Sequence, residues 1–249
     1  MTAGKTYIYG KHAIEEALIN TPKAVEKVFM TSYFDDLKIQ ELIKKTGVSQ
    51  VRLQKGKLPP SIDENVAHQG VMAAIRSGDI TTSYKDFISD LQVSDETALV
   101  VLGEIQDVHN VGSIIRSAAA FGVAGVLIPE HNQAPITGGM VKVSSGMAFR
   151  IPLVTIGNIN TTIRDLKDRG FRVYGLDGGA THTVTKEEYD MPTVFIIGNE
   201  AEGLREKTRE LCDKLLSIPM HPRCESLNAS VSSAVALYSW SSKHSKALK

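Results

Sequence analysis

Ala98-Leu99-Val100-Val101-Leu102 is the stretch that leaves this chain the fewest choices. No polar residue interrupts it at alternate positions, so a strand with one wet face is excluded. The run suits a strand buried on both faces of a parallel sheet. Parallel strands need crossover connections, and the following sequence supplies them. Strand patterns at Gly125 to Ile128, Phe171 to Leu176, Thr193 to Ile197 and Leu215 to Ile218 alternate with helical patterns. The helices are Thr161 to Arg169, with Gly170 as its stop, and Leu204 to Leu211. That alternation is an α/β signature.

Upstream, the pattern is shorter and mixed. Lys11 to Ile19 sets Ala13, Ile14, Ala17 and Leu18 on one helical face, and Val25 to Thr31 and Gln50 to Leu53 read as short strands. Asp36 to Lys45 is an amphipathic helix between them, ended by Gly47, and His68 to Ile75 reads as a buried strand. These make a small α/β domain over residues 1–77. Lys11, Lys55, Lys57 and Arg76 are available for a basic surface, although solvated charges explain them equally well. Residues 78–97 turn polar and read as a linker with one short helix, where Tyr84, Phe87, Ile88 and Leu91 have helical spacing. Residues 98–249 form the second domain.

Composition limits the partners and the compartment. Lys and Arg total 28 against 28 Asp and Glu, which excludes indiscriminate nucleic-acid binding but not a local basic face. No apolar run reaches the roughly 20 residues of a membrane span. The N-terminus lacks a signal-peptide core. Two cysteines without Cys-x-x-Cys spacing suit a reducing cytoplasm.

Three segments carry chemistry. Asp107-Val108-His109-Asn110-Val111-Gly112-Ser113-Ile114-Ile115-Arg116 follows the first strand of the second domain and opens a helix, with Asn110 as a fair N-cap. Arg116 sits among Ile114, Ile115, Ala118 and Ala119 on a helix that wants burial, so a carboxylate or a phosphate is expected beside it. Phe195-Ile196-Ile197-Gly198-Asn199-Glu200-Ala201-Glu202-Gly203 ends a buried strand with two carboxylates in the loop, and Gly175-Leu176-Asp177-Gly178-Gly179 has the same setting after another strand. Open α/β sheets bind ligands beyond such strand ends. The third segment is Ile218-Pro219-Met220, the polar loop His221 to Glu225, and Ser226-Leu227-Asn228-Ala229-Ser230. Ser226 or Asn228 caps the apolar helix Val231 to Trp240. An ordinary cap explains this segment, as does a helix N-terminus offering free backbone N–H groups to a ligand.

Together the pattern N-x-G-x-x-x-R, then G-x-E-x-x-G, then I-P-M followed by S-L-N-x-S resembles the SpoU (TrmH-type) branch of the SPOUT RNA methyltransferases. Tyr9-Gly10-Lys11-His12-Ala13-Ile14 and His68-Gln69-Gly70-Val71 resemble the small RNA-binding domain of RlmB-type members, so the likeness covers nearly the whole chain. Val108 departs from the proline usual after the first Asp. The resemblance implies methyl transfer from S-adenosylmethionine to a ribose 2′-hydroxyl. A guanosine of large-subunit ribosomal RNA is the expected target, with transfer RNA as the alternative substrate. It also implies a homodimer and a deep trefoil knot in the C-terminal domain, which topology rules alone do not suggest. Leu176, Gly198, Ile218 and Leu227 are the implied cofactor contacts. Asn110, Arg116, Glu200, Ser226 and Asn228 match the catalytic set. The family assigns its arginine to deprotonation. A guanidinium is a poor base, with a pKa above about 12, so a phosphate clamp is the better expectation for Arg116.

Other readings are weaker. A Rossmann-type methyltransferase needs a glycine-rich loop after its first strand, and Glu104 to Asn110 has no glycine. Cys212, His221 and Cys224 lack a fourth metal ligand. An RNA-binding ribosome-assembly factor without catalysis has no need of the intact polar set.

Overall fold

The computed structural model describes residues 5–59, 62 and 65–248. Contacts divide the chain into two units, Met1–Thr81 with Pro135–Arg150, and Thr82–Ala134 with Ile151–Lys249.

The first unit opens with β1 (Lys5–Tyr9), α1 (Lys11–Asn20), β2 (Val25–Met30), α2 (Leu37–Thr46), β3 (Ser49–Arg52) and β4 (Val71–Arg76). The sheet order is β1-β4-β2-β3. β4 runs antiparallel to β1 and β2, while β2 and β3 are parallel. The Asp36 carboxylate accepts from Ile39 N and caps α2, and Gly47 closes it at φ 69°. The strand expected over His68 to Ile75 begins only at Val71, because Gln69 and Gly70 turn the chain at φ 55° and 85°. Lys11 pairs with Asp36 at 3.0 Å and Arg76 with Asp79 at 2.5 Å. Two of the four cations considered for a basic surface are therefore partnered.

The remaining elements are β5 (Thr81–Ser83), α3 (Tyr84–Asp90), β6 (Ala98–Leu102), α4 (Val108–Ala120), β7 (Gly125–Pro129), α5 (Gly138–Val143), β8 (Leu153–Ile156), α6 (Ile159–Asp168), β9 (Arg172–Leu176), β10 (His182–Thr183), β11 (Thr193–Ile197), α7 (Glu206–Arg209), β12 (Lys214–Ser217) and α8 (Ala229–Ser241). α5 lies in the Pro135–Arg150 segment of the first unit. Thr137 caps it, and Gly138 runs so close to β1 that a Cβ there would lie 1.9 Å from the Tyr7 carbonyl oxygen. Arg150 closes the segment with two hydrogen bonds to Glu16, at 2.6 and 2.8 Å.

The large sheet has the order β10-β12-β9-β11-β6-β7-β8-β5. From β10 to β8 every pairing is parallel. Its central strands β6 and β11 are buried at every residue, as their unbroken apolar runs require. Leu99, Val101, Leu127, Val154, Val194 and Ile196 form the core of one face.

Three expectations need correcting. The polar stretch 78–97, read as a linker, contributes β5 to the edge of the large sheet, and its helix α3 packs Tyr84, Phe87, Ile88 and Leu91 on the core. The helix expected over Leu204 to Leu211 shrinks to Glu206–Arg209, because Asn199 and Gly203 bond to each other and hold the preceding residues in a turn. Asn110 is not the cap of α4. Asp107 is, accepting from His109 N.

Candidate active site

Because β12, β9, β11 and β6 are adjacent and parallel, their carboxyl ends lie at one edge of the sheet. The loops leaving β6 and β11 touch through backbone. Gly103 N donates to Ile197 O at 2.7 Å, and a Cβ on Gly103 would lie 2.7 Å from that same oxygen. Gly198 is equally confined, since a Cβ there would lie 2.5 Å from the Gly203 carbonyl carbon. Side chains are excluded at both positions, so these glycines let the two loops converge. Glu104 adopts φ 64°, and its carbonyl accepts from the Asn199 amide at 2.8 Å and the Gln106 amide at 3.3 Å. Asn199 and Glu104 are site-building residues that the motif reading missed. The only signal was the Asn directly after Gly198.

With Asp107 capping α4, Asn110 sits on its first turn, buried, with its side chain free to bridge. Its amide donates to the Glu200 carboxylate at 2.9 Å, and its carbonyl oxygen accepts from the Asn228 amide at 3.0 Å. The direction of this chain is fixed from both ends. Asn228 Oδ1 is committed to capping α8, accepting from Ser230 N at 2.9 Å, so Asn228 has only its NH2 to offer. At the other end Glu200 is an acceptor, and it also takes the N–H groups of Gln106 and Asp107 at 3.2 and 3.3 Å. Burial pushes the Glu200 carboxyl up. The Asn110 amide and these backbone donors outweigh it, and hold the group below the usual carboxylate range.

Three of the five polar candidates, Asn110, Glu200 and Asn228, therefore form one network. Ser226 and Arg116 stand apart from it. Ser226 is exposed, lines the neighbouring cavity and has no hydrogen-bond partner among the described residues. Arg116 contradicts the expectation of burial. It lies on the exposed face of α4, with no ion pair among the described residues. The apolar residues around it in sequence, Ile114, Ile115 and Ala118, are buried, whereas Arg116 itself is exposed.

The cavity beside the network has a volume of about 360 Å³, and its lining includes Leu176, Gly198, Ile218 and Leu227, the four candidate cofactor contacts. Ile218 and Leu227 bring apolar surface. Among the described residues, the backbone N–H and C=O groups of Ile218 and of Glu225 to Leu227 have no protein partner. A flat heterocycle with donors and acceptors on its rim matches such a wall. Elsewhere, α4 and α8 form a shallow groove lined by Ser113, Ser117, Val235 and Tyr238, where Val231 and Tyr238 are 47% and 62% exposed. Among the described residues no group of three or more His, Cys, Asp or Glu is placed to hold a metal, and no helix is long and apolar enough to cross a membrane.

Comparison with known families identifies this arrangement. The SpoU rRNA Methylase family model matches residues 97–238, and the model for RNA 2′-O ribose methyltransferase substrate binding matches residues 7–79. The chain belongs to the SpoU rRNA methylase family. Among SpoU relatives, the 23S rRNA (guanosine-2′-O-)-methyltransferase RlmB of Yersinia pestis is 34% identical over 236 residues, 93% of this chain and 94% of the relative. The RlmB of Escherichia coli (strain K12) is 32% identical over 235 residues, covering 93% and 96%. The SpoU fold is seen in AviRb from Streptomyces viridochromogenes, solved in complex with AdoMet. That structure superposes with TM-score 0.82 at 24% identity, over 98% of this chain and 92% of the other. The N-x-G-x-x-x-R, G-x-E-x-x-G and S-L-N-x-S blocks of this SpoU chain thus meet at one sheet edge.

Proposed function

We propose that this protein transfers a methyl group from S-adenosylmethionine to the ribose 2′-hydroxyl of a guanosine in 23S ribosomal RNA. The named RlmB relatives support that target, with transfer RNA as the alternative substrate. The observation that carries the reading is the Asn228–Asn110–Glu200 chain, which ties all three motifs together beside a cavity with free backbone groups. The residues fit the cofactor: Leu176, Ile218 and Leu227 give apolar faces, and the unpaired backbone of Ile218 and Leu227 suits the polar edge of a purine. Bound there, S-adenosylmethionine supplies an electrophilic methyl on a sulfonium.

The chain's own residues then position and hold charge. Glu200 is a poor candidate for the general base, because its carboxylate is occupied by three donors and held in its ionised form. It acts as a positioning residue that fixes Asn110 and the loop before α4. Arg116, exposed and without a carboxylate partner among the described residues, keeps its guanidinium available for an RNA phosphate and for the alkoxide developing at the ribose. Ser226 is placed to orient the ribose at the cavity mouth. In-line alignment then contributes much of the rate.

Residues 7–79 act as the RNA-binding domain, and the protein works in the cytoplasm. The exposed Val231 and Tyr238 on α8 support an isologous homodimer through the α4–α8 groove. The knot implied by family resemblance belongs to the same proposal. Ribose-methylation profiling of ribosomal and transfer RNA from a deletion strain tests the function. A single 23S guanosine that loses protection in the deletion, and regains it on incubation with the purified protein and S-adenosylmethionine, is the expected result. Loss at a transfer RNA position instead would redirect the substrate assignment.

A further inference from the structure

The strand directions of the first unit bring three connections to one end of its sheet. β2 and β3 are parallel and pair Met30 with Arg52 at their carboxyl ends. β4 is antiparallel to β2 and starts at that end, where Met30 meets Val71. β1 is antiparallel to β4 and finishes there, Tyr9 opposite Met72. The segments that follow Tyr9, Met30 and Arg52, and the one that precedes Val71, therefore emerge side by side.

On this end two large apolar side chains stand in water. Tyr33 is 72% exposed and Leu37 73% exposed, more than any other large apolar residue described. Burial would have stabilised each, so their exposure at one end of one sheet calls for an explanation. The loop that displays Tyr33 is firmly held. Phe34, its neighbour, is buried against Gly70, and Phe34 N donates to Thr31 O at 3.1 Å. Arg52 donates to the carbonyl of Ser32 at 3.2 Å, which sets a guanidinium beside the residue preceding Tyr33. Lys55 and Lys57 follow on the adjacent loop, exposed and without an ion-pair partner among the described residues. Asp35, two residues after Tyr33, is an exposed acid, while Asp36 is consumed by Lys11 and by the α2 cap. An exposed ring on a held loop, with cations on the adjacent loop, has the parts of a single-strand platform: a π-face for a base and charge for the backbone.

We propose that Tyr33 stacks an unpaired base of the substrate RNA, with Arg52, Lys55 and Lys57 holding the flanking phosphates. This rests on the methyltransferase reading above and adds a specificity element to it, selection of unpaired nucleotides by the first unit. The stacking surface is local to this unit, so it does not depend on the cofactor cavity.

The test uses the full-length protein with two probes, a fluorescein-labelled oligoadenylate and an unmethylated 23S ribosomal RNA transcript. Affinities are read by fluorescence anisotropy and filter binding at several salt concentrations, with cofactor affinity measured by calorimetry. Tyr33→Ala is expected to weaken both RNA affinities about tenfold or more with an unchanged salt slope, and Tyr33→Phe to keep wild-type affinity. Lys55→Ala is expected to lower the salt slope by about one ion. Cofactor affinity stays constant throughout. Wild-type RNA affinity in Tyr33→Ala overturns the proposal, as does an equal loss in Tyr33→Phe. A wild-type protein that binds neither RNA nor cofactor defeats the methyltransferase reading itself, a result distinct from either of these.

Discussion

On the Glu200 side of the cavity, Asn228, Asn110, Glu200 and the N–H groups of Gln106 and Asp107 are bonded to one another. Across the cavity lining, the backbone of Ile218 and of Glu225 to Leu227 bonds to nothing among the described residues. Both walls are polar, yet only one has its hydrogen bonds built in. The ordering cost of the first wall is met during folding, so it is preorganised before any ligand arrives. The second wall gains its partners only from a ligand, and it should stiffen and stabilise when one binds. The bonded network and the open wall thus rest on different physical footings, one internal and one borrowed.

The largest predicted effect comes from the place where the walls meet. Gly198→Ala sets a Cβ against the Gly203 backbone, which cannot give way like a flexible side chain. The loop carrying Asn199 and Glu200 must move, and both walls lose their register. Calorimetry is expected to detect no cofactor binding, while the fold persists by circular dichroism. Unchanged cofactor affinity would show that the two walls do not depend on this contact.

Arg116 lies outside both walls, which makes it a control on their division of labour. Arg116→Ala is expected to lose about 2–4 kcal/mol of transition-state stabilisation with cofactor affinity unchanged. Arg116→Lys should retain part of the activity, because a cation remains, although the planar fork is gone. Single-turnover rates against pH distinguish clamp from base. An alkaline limb that moves when Arg becomes Lys would sink the clamp role.

A smaller effect separates the walls directly. Asn110→Ala removes the middle of the network and leaves Glu200 and Asn228 facing an unfilled partner, a cost of about 1–3 kcal/mol in stability. Asn228→Ala in the same background should be strongly non-additive, since the two side chains share one chain of bonds. Leu227→Ala is expected to raise KM for S-adenosylmethionine with little change in apo stability. Thermal melts with and without cofactor check both halves, and additive losses at Asn110 and Asn228 would break the network account.

How much of this was readable beforehand depends on the kind of signal. β6 and β11 were legible because a strand covered on both faces must be apolar throughout. β8 was missed: Leu153–Ile156 is four residues long and follows Pro152, too short for any period. α5 was hidden by Gly138 and Gly139, and the role of Gly138, close approach to Tyr7, cannot be seen locally. The candidate site residues came from family resemblance, while the contacts among them did not. Spacing put Asn110 at a helix start and suggested a cap. Only the position of Asp107 frees it to bridge Glu200 and Asn228. Arg116 looked buried because its sequence neighbours are, yet a helix turns about 100° per residue and Arg116 faces outward.

The smallest predicted effect tests whether the built-in wall is electrostatic as well as geometric. Glu200 is held below the ordinary carboxylate range in the folded protein, by Asn110 and the Gln106 and Asp107 N–H groups acting against burial. A depressed folded value means the unfolded chain takes up the proton first as pH falls. Its contribution to stability is therefore complete above the ordinary glutamate value of about 4.3, and is lost as pH falls through the lower folded value. Glu200→Gln cannot ionise, and it keeps one acceptor oxygen where the carboxylate had two, so at least one of the Asn110, Gln106 and Asp107 donors meets an NH2. The melting temperature of the wild type should exceed that of Glu200→Gln at neutral pH, and the gap should narrow below about pH 4.3. Asp36 and Asp165 are also depressed, but both proteins share them, so they cancel in the difference. A gap that stays constant through this range would mean that Glu200 serves the wall through shape alone, and that its charge is incidental to the network.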